Sequence, residues 1–298
     1  KAFGAGLIAL DLVLGMDPAA PVKSWTGGTC GNVLSILAFL GWKSFPIARM
    51  NGDAASKRVL ADLAKWGVQL DFAQCEPTGH TPIIVQQIKS CGKHLPRFKA
   101  ITQAAVAVVA PHMEDASVFF MDRLSRAMLT LARQASDNGA VVIFEPSAKS
   151  DPKHFAEALE IAHILKYADQ RLADAGNVLN DNSSVLLEIQ TLGEHGLRYR
   201  SKTDGTVHPW TPMSAFQSIR LEDTCGSGDW CTAGIIHKLA AGGFESFSKL
   251  GPEDFSEALT FGQGLASWNT RFEGARGGMY SMTFGEFEEQ VLDILGGD

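Results

Sequence analysis

Cysteine is scarce in this 298-residue chain and follows no pairing pattern: Cys30, Cys75, Cys91, Cys225 and Cys231 include no C-x-x-C. An odd, scattered set argues against a disulfide framework or a zinc knuckle and fits reduced thiols. Long apolar runs are missing too. Ala104 to Ala110 is among the longest, far short of the roughly 20 residues that span a bilayer. No basic-then-apolar leader opens the sequence at Lys1, a start without Met that suits a trimmed chain, so a cytoplasmic location is expected. Positive charge is outnumbered, with 26 Lys and Arg against 33 Asp and Glu and a net charge of -7. That balance excludes a broad nucleic-acid footprint and requires any anionic ligand to be held locally. Two familiar phosphate signatures are also lacking. There is no G-x-x-x-x-G-K-[ST], and no G-x-G-x-x-G that follows a strand and is followed by the expected acid, which disfavours P-loop and dinucleotide-binding folds.

What is present is apolar substance, 45% of residues, enough for one large core over 1–298. Phe3 to Val13 reads as one apolar strand with Asp11 near its carboxyl end, and Pro18 to Trp25 as a loop or short extended segment. Helical spacing over Asn32 to Leu40 and Ala54 to Trp66 brackets a strand at Ile47 to Met50. Val118 to Met121 and Val141 to Phe144 are all-apolar strands around a helix at Arg126 to Asn138. Such strands between helices predict an α/β fold with a doubly wound, mostly parallel sheet covered on both faces. Further helices are expected at Pro152 to Ala162, Glu253 to Asn269 and Phe284 to Leu295, with strands at Ile164 to Tyr167 and Ser184 to Gln190 and a hairpin to about Val207. Lys89 to Lys99 fits neither period and reads as a mobile loop. Strand-forming excursions at about 12 to 28 and 80 to 100 predict a small flap over the sheet edge.

Two segments carry chemistry. In Trp25-Thr26-Gly27-Gly28-Thr29-Cys30-Gly31-Asn32, the glycines allow close backbone approach to a ligand, and Asn32 offers a donor and an acceptor to adjacent hydroxyls. By itself the segment reads more readily as a glycine turn with Asn32 as a helix cap. Asp11 is either a strand-end turn former or a carboxylate that grips two hydroxyls. The second segment is Asp223-Thr224-Cys225-Gly226-Ser227-Gly228-Asp229, which runs into an amphipathic helix. Its small residues place unpaired N–H groups and the positive end of the helix dipole against an anion. Asp229 in the first turn is either a cap or a base that takes a proton from an attacking hydroxyl. Cys225 and Cys231 lack the neighbours of a metal site. His112, His163, His195, His208 and His237 are scattered as surface or packing residues.

Together, Gly27-Gly28-x-x-x-Asn32 with Gly41 and Gly52, and Asp223-Thr-x-Gly-Ser-Gly-Asp229, resemble the two signatures of the ribokinase-like, or PfkB, carbohydrate kinases. Gly6 to Asp11 resembles the family's first strand, Thr191-Leu-Gly193-x-x-Gly196 its nucleotide-side turn, and Gly274-Ala275-Arg276-Gly277-Gly278 its late loop near the adenine. The resemblance covers about residues 3 to 290 and implies a small β-sheet lid, ATP, Mg²⁺ and γ-phosphoryl transfer to a hydroxymethyl group of a ribose-, fructose- or ketogluconate-like sugar. It implies Asp229 as the base and the Gly226, Ser227 and Gly228 amides as the anion hole. Asp11, Gly28, Asn32 and Glu145 match the acceptor side, Thr191, Gly193, Gly196 and Gln263 the nucleotide side, and Asp223 a monovalent-cation position suited to K⁺. The family's Asn-x-x-Glu pair is absent from Lys166-Tyr167-Ala168-Asp169-Gln170-Arg171. That departure keeps open a non-catalytic sensor beside a sugar or nucleoside kinase. Strand edges in the lid imply a homodimer.

Overall fold

The computed structural model describes residues 1–296 apart from 16, 18, 88–97, 149–150, 181 and 219. The loop expected from Lys89 to Lys99 therefore lies, up to 97, outside the described residues. The chain opens with β1 (Ala2–Ala5), β2 (Ala9–Leu14), β3 (Lys23–Gly27), α1 (Thr29–Phe39), β4 (Ser44–Met50), α2 (Ala54–Lys65), β5 (Ala73–Cys75) and β6 (Ile83–Gln87). It continues with α3 (Gln103–Val109), β7 (Val118–Met121), α4 (Arg126–Asp137), β8 (Val141–Phe144), α5 (Pro152–Leu159), β9 (Ile164–Ala168), β10 (Leu187–Thr191), β11 (Leu197–Thr203), β12 (Thr206–Val207) and β13 (Thr211–Met213). Four helices finish it: α6 (Ser227–Leu239), α7 (Gly243–Phe247), α8 (Pro252–Asn269) and α9 (Phe284–Gly296).

The large sheet runs β12-β11-β10-β9-β8-β7-β1-β4-β5, with β13 paired to β11. From β10 to β5 every pairing is parallel. Successive residues of its central strands feed opposite cores, as a period of two requires. Val118, Phe120, Val141 and Ile143 join α1, α6, α8 and α9 on one face, while Phe119, Met121, Val142 and Phe144 join α3, α4 and α5 on the other. Burial on both faces is why these strands are apolar at every position.

The expected single strand from Phe3 to Val13 is two strands in different sheets. β1 ends at Ala5, where Gly6 leaves no side chain to collide with Asp122; a Cβ there would lie 1.7 Å from its Oδ1. Leu7 N donates to that same oxygen at 2.8 Å, so a side chain takes the amide and the chain leaves the large sheet. It re-enters strand geometry as β2, the centre of a small sheet ordered β3-β2-β6, antiparallel to β3 and parallel to β6. Asp11 is thus a mid-strand residue of the small sheet, opposite Trp25, and not the end of a large-sheet strand. β3 takes up the end of the segment read as a loop, and α3 covers most of the apolar run at 104 to 110.

Candidate functional site

α6 begins where its sequence allows little else. Gly226 holds a left-handed φ of 77°, and a Cβ on it would lie 2.4 Å from Ala275 O, so both conformation and space require glycine. The helix is then fixed by burial of Trp230, Ile235, Ile236 and Leu239, each contributing on the order of 2 kcal/mol. Against α8 it packs backbone to backbone, since a Cβ on Gly234 would sit 2.9 Å from Gly262 Cα. Ser227 N donates to Thr224 O at 3.3 Å. The Gly226 and Gly228 amides have no protein acceptor among the described residues, and Ser227 Oγ is buried without a partner. These are the donors a helix start offers an anion. Asp223 ties the loop down: Oδ1 accepts from Cys225 N at 3.0 Å and Oδ2 from Gly274 N at 2.8 Å.

Asp229, in the first turn of α6, accepts a 2.7 Å hydrogen bond on Oδ2 from Asn32 Nδ2 of α1. The two motifs, 197 residues apart, meet at this bond. Asn32 is not a helix cap: Gly28 holds the cap position of α1 with φ 76°. Burial pushes the Asp229 carboxyl up to about 7, helped by the charge of Glu145 and opposed by the Asn32 bond and by Lys166 and Arg171. Asp11, 4% exposed, stands across the same space. Its Oδ2 accepts from Gln86 Nε2 of β6 at 2.9 Å, while Oδ1 is buried with no partner. Burial also raises Asp11 to about 7, with Arg276 opposing and Asp229 reinforcing. Gly27 makes room for it, because a Cβ there would lie 1.9 Å from Asp11 Cγ. Cys225 Sγ donates to Gln86 Oε1 at 3.2 Å, so Gln86 spans the small sheet and the loop before α6.

Below the loop, at the carboxyl edge of the large sheet, Glu145 and Lys166 form a buried ion pair of 2.9 Å. Lys166 Nζ also donates to Gly228 O at 3.2 Å, and Thr232 Oγ1 lies 2.5 Å from Glu145 Oε2 and 2.9 Å from Gly228 O. Burial, the largest single influence, would lower the lysine, but the charge and hydrogen bond of Glu145 together with Cys231 and Asp229 hold the ammonium above its ordinary range. The stretch lacking Asn-x-x-Glu therefore contributes a cation to the floor of the loop. Thr191 ends β10 on the same edge, its carbonyl accepting from Asp169 N at 3.0 Å. Gly193 and Gly196 turn the chain there with φ of 61° and 88°, and a Cβ on Gly196 would strike Met213 O at 2.2 Å. Among the described residues no hydrogen bond joins Thr191, Gly193, Gly196 or the buried Gln263 of α8 to residues 226–228.

Three participants escaped the sequence reading. Gln86 and Asp62 look like ordinary polar residues of a strand and an amphipathic helix. The resemblance places Arg276 with its glycines in a late loop near the adenine; in the structure its Nε donates to Asn32 Oδ1 at 3.1 Å. The surrounding glycines were the available signal, since Cβ atoms on Gly274 and Gly278 would lie 2.6 Å from Trp25 and 2.1 Å from Trp268.

The chain is similar to the ATP-dependent ribose-1-phosphate kinase of Halopiger xanaduensis, at 23% identity covering 93% of this chain and 94% of that protein. It is also similar to the probable chloroplastic fructokinase-6 of Arabidopsis thaliana, at 23% identity covering 88% of this chain and 74% of that protein. Among solved structures, the fructokinase of Xylella fastidiosa with bound ATP superposes with a TM-score of 0.76 at 16% identity, covering 98% of each chain, a likeness of fold. The model of the pfkB family of carbohydrate kinases matches residues 16–281. With both motifs meeting at one carboxylate on this fold, the chain belongs to the pfkB family of carbohydrate kinases and is a phosphotransferase.

Proposed function

We propose that this sugar kinase transfers the γ-phosphoryl group of ATP to a hydroxymethyl group of a ribose-, fructose- or ketogluconate-like sugar, with Asp229 as the base. The observation that carries this reading is the Asn32 to Asp229 hydrogen bond, which joins the acceptor-side motif to the anion-binding helix start. Asp11 Oδ1, buried and unpartnered, is an acceptor for a sugar hydroxyl, and Gly28 and Asn32 shape the same wall. Asp229 Oδ2 is engaged by Asn32, which leaves Oδ1 to take the hydroxyl proton. The amides of Gly226 and Gly228 and the Ser227 Oγ face the charge that develops on the transferring group, with the Ser227 amide, which donates to Thr224 O, behind them. Glu145 acts through Lys166 on the floor of that cradle.

The adenine side falls to Thr191, Gly193, Gly196 and Gln263. Among the described residues no three His, Cys, Asp or Glu side chains are grouped to hold a metal. That fits a Mg²⁺ which keeps its waters and is held mainly by nucleotide phosphates, where it would neutralise charge. A monovalent cation such as K⁺ would fall to Asp223, whose oxygens retain lone pairs beyond the two amides they accept. The small sheet acts as a lid, and its edges, with Val22 and Ile83 exposed, are the surface for a homodimer in the cytoplasm.

The test is ADP release with ATP and Mg²⁺ across a panel containing D-ribose, D-fructose, 2-keto-3-deoxygluconate and adenosine. Turnover with a sugar and none with adenosine is expected. Turnover confined to adenosine supports a nucleoside kinase, and binding without any turnover supports a sensor.

A further inference from the structure

Arg276 is 1% exposed and ties three separate segments to its own loop. Its Nη2 donates to Thr26 O of β3 at 2.6 Å and to Asp62 Oδ2 of α2 at 2.7 Å, while Nε donates to Asn32 Oδ1 of α1 at 3.1 Å. Asp62 is fixed in turn by Thr26 N at 2.8 Å and Tyr280 Oη at 2.7 Å. Tyr280 stacks on Trp25 with centroids 4.6 Å apart. The guanidinium therefore has little freedom, and its central carbon lies 5.8 Å from the Tyr280 ring centroid.

An asparagine side chain has two orientations that differ only in exchanging a donor for an acceptor. Arg276 permits one of them. A guanidinium only donates, so it demands Asn32 Oδ1; the Asn32 amide nitrogen must then face Asp229, a carboxylate that only accepts. The reverse orientation would set donor against donor and acceptor against acceptor. We propose that Arg276, braced by Asp62, is a positioning residue for phosphoryl transfer: it locks the Asn32 amide so that Nδ2 fixes one oxygen of Asp229 and the other is presented to the acceptor hydroxyl. Lysine cannot replace it, because a point ammonium does not span Thr26 O, Asp62 and Asn32 in one plane. This inference rests on Asp229 being the base.

The test is a double-mutant cycle of Arg276→Met and Asn32→Ala with the most active sugar of the panel above, measuring kcat, KM for ATP and the pH dependence of kcat. Arg276→Met should lower kcat by about 10- to 100-fold, the scale of a misplaced catalytic group, with KM for ATP within about twofold. The acid limb should move to higher pH, because the Asn32 bond favours the ionised form of Asp229. Added to Asn32→Ala, Arg276→Met should cost little more, since it acts through that residue. Additive losses, or an unmoved acid limb, would reduce Arg276 to a structural ion pair and overturn the proposal. If Arg276→Met does not fold, Asp62→Asn and Arg276→Lys carry the same cycle. Loss of turnover in Asp229→Asn beside an additive cycle sinks this inference alone, whereas retained turnover in Asp229→Asn sinks the base assignment.

Discussion

The two sides of the proposed site, one for the phosphate and one for the acceptor, are built differently. The phosphate side is contiguous: Gly226, Ser227, Gly228 and Asp229 follow one another into α6, and the floor beneath them is closed by a buried pair, Glu145 and Lys166. The acceptor side is assembled from β2, β3, α1, α2, β6 and the loop at 276, and it leaves Asp11 Oδ1 and Arg276 Nη1 buried without partners. A group that is the same for every kinase of this kind can be met by one contiguous set of donors, the Gly226 and Gly228 amides without a protein acceptor and the buried Ser227 Oγ. An acceptor that must be distinguished from others calls for polar atoms left unpaired until it arrives, because burying them with the wrong partner is costly.

Substitutions that strike one side and spare the other test this contrast, and the largest effect belongs to the residue they share. Asp229→Asn should reduce turnover by about 10² to 10⁴, the range for a positioned base, while the circular dichroism spectrum is unchanged. Normal turnover would dissolve the junction between the two sides. On the phosphate side, Lys166→Met leaves Glu145 buried and unpaired, for which about 3–5 kcal/mol of stability should be lost in denaturant titration. A loss under about 1 kcal/mol would mean that the floor is not closed by this pair. On the acceptor side, Gly27→Ala sets a Cβ against the Asp11 carboxylate and should cost about 1–3 kcal/mol. Steady-state kinetics should show a raised KM for the sugar with KM for ATP unchanged; equal increases in both would contradict the division.

The same contrast explains what the sequence disclosed. The motif at 223–229 and the all-apolar strands β7 and β8 are local patterns, and each was readable because the physics that shapes it acts over a few neighbours. Asp11 reads from the sequence as a turn former or a hydroxyl-gripping carboxylate on a single first strand, but it lies on β2 of the small sheet, since the break at Gly6 is imposed by Asp122, a residue more than a hundred positions away. Arg276, Asp62 and Gln86 carry no local mark at all; their roles arise from which segments the fold brings beside them. Lys166 registered only as a missing Asn-x-x-Glu pair, and its ion pair with Glu145 appears once β8 and β9 lie side by side. The glycines around Arg276 were visible, yet the side chains they make room for were not.

The central claim is that Asp229, raised by burial to about 7, must be ionised to accept the hydroxyl proton. Such a base is fully competent above that pH and is lost as the pH falls through it. The direct measurement is kcat at saturating sugar and ATP from about pH 5 to pH 9 for the unmodified enzyme beside the residual rate of Asp229→Asn. The expected result is a fall of about tenfold per pH unit below about 7 in the former, and no such limb in the latter. A flat profile in the unmodified enzyme, or a limb that survives in Asp229→Asn, would contradict the assignment.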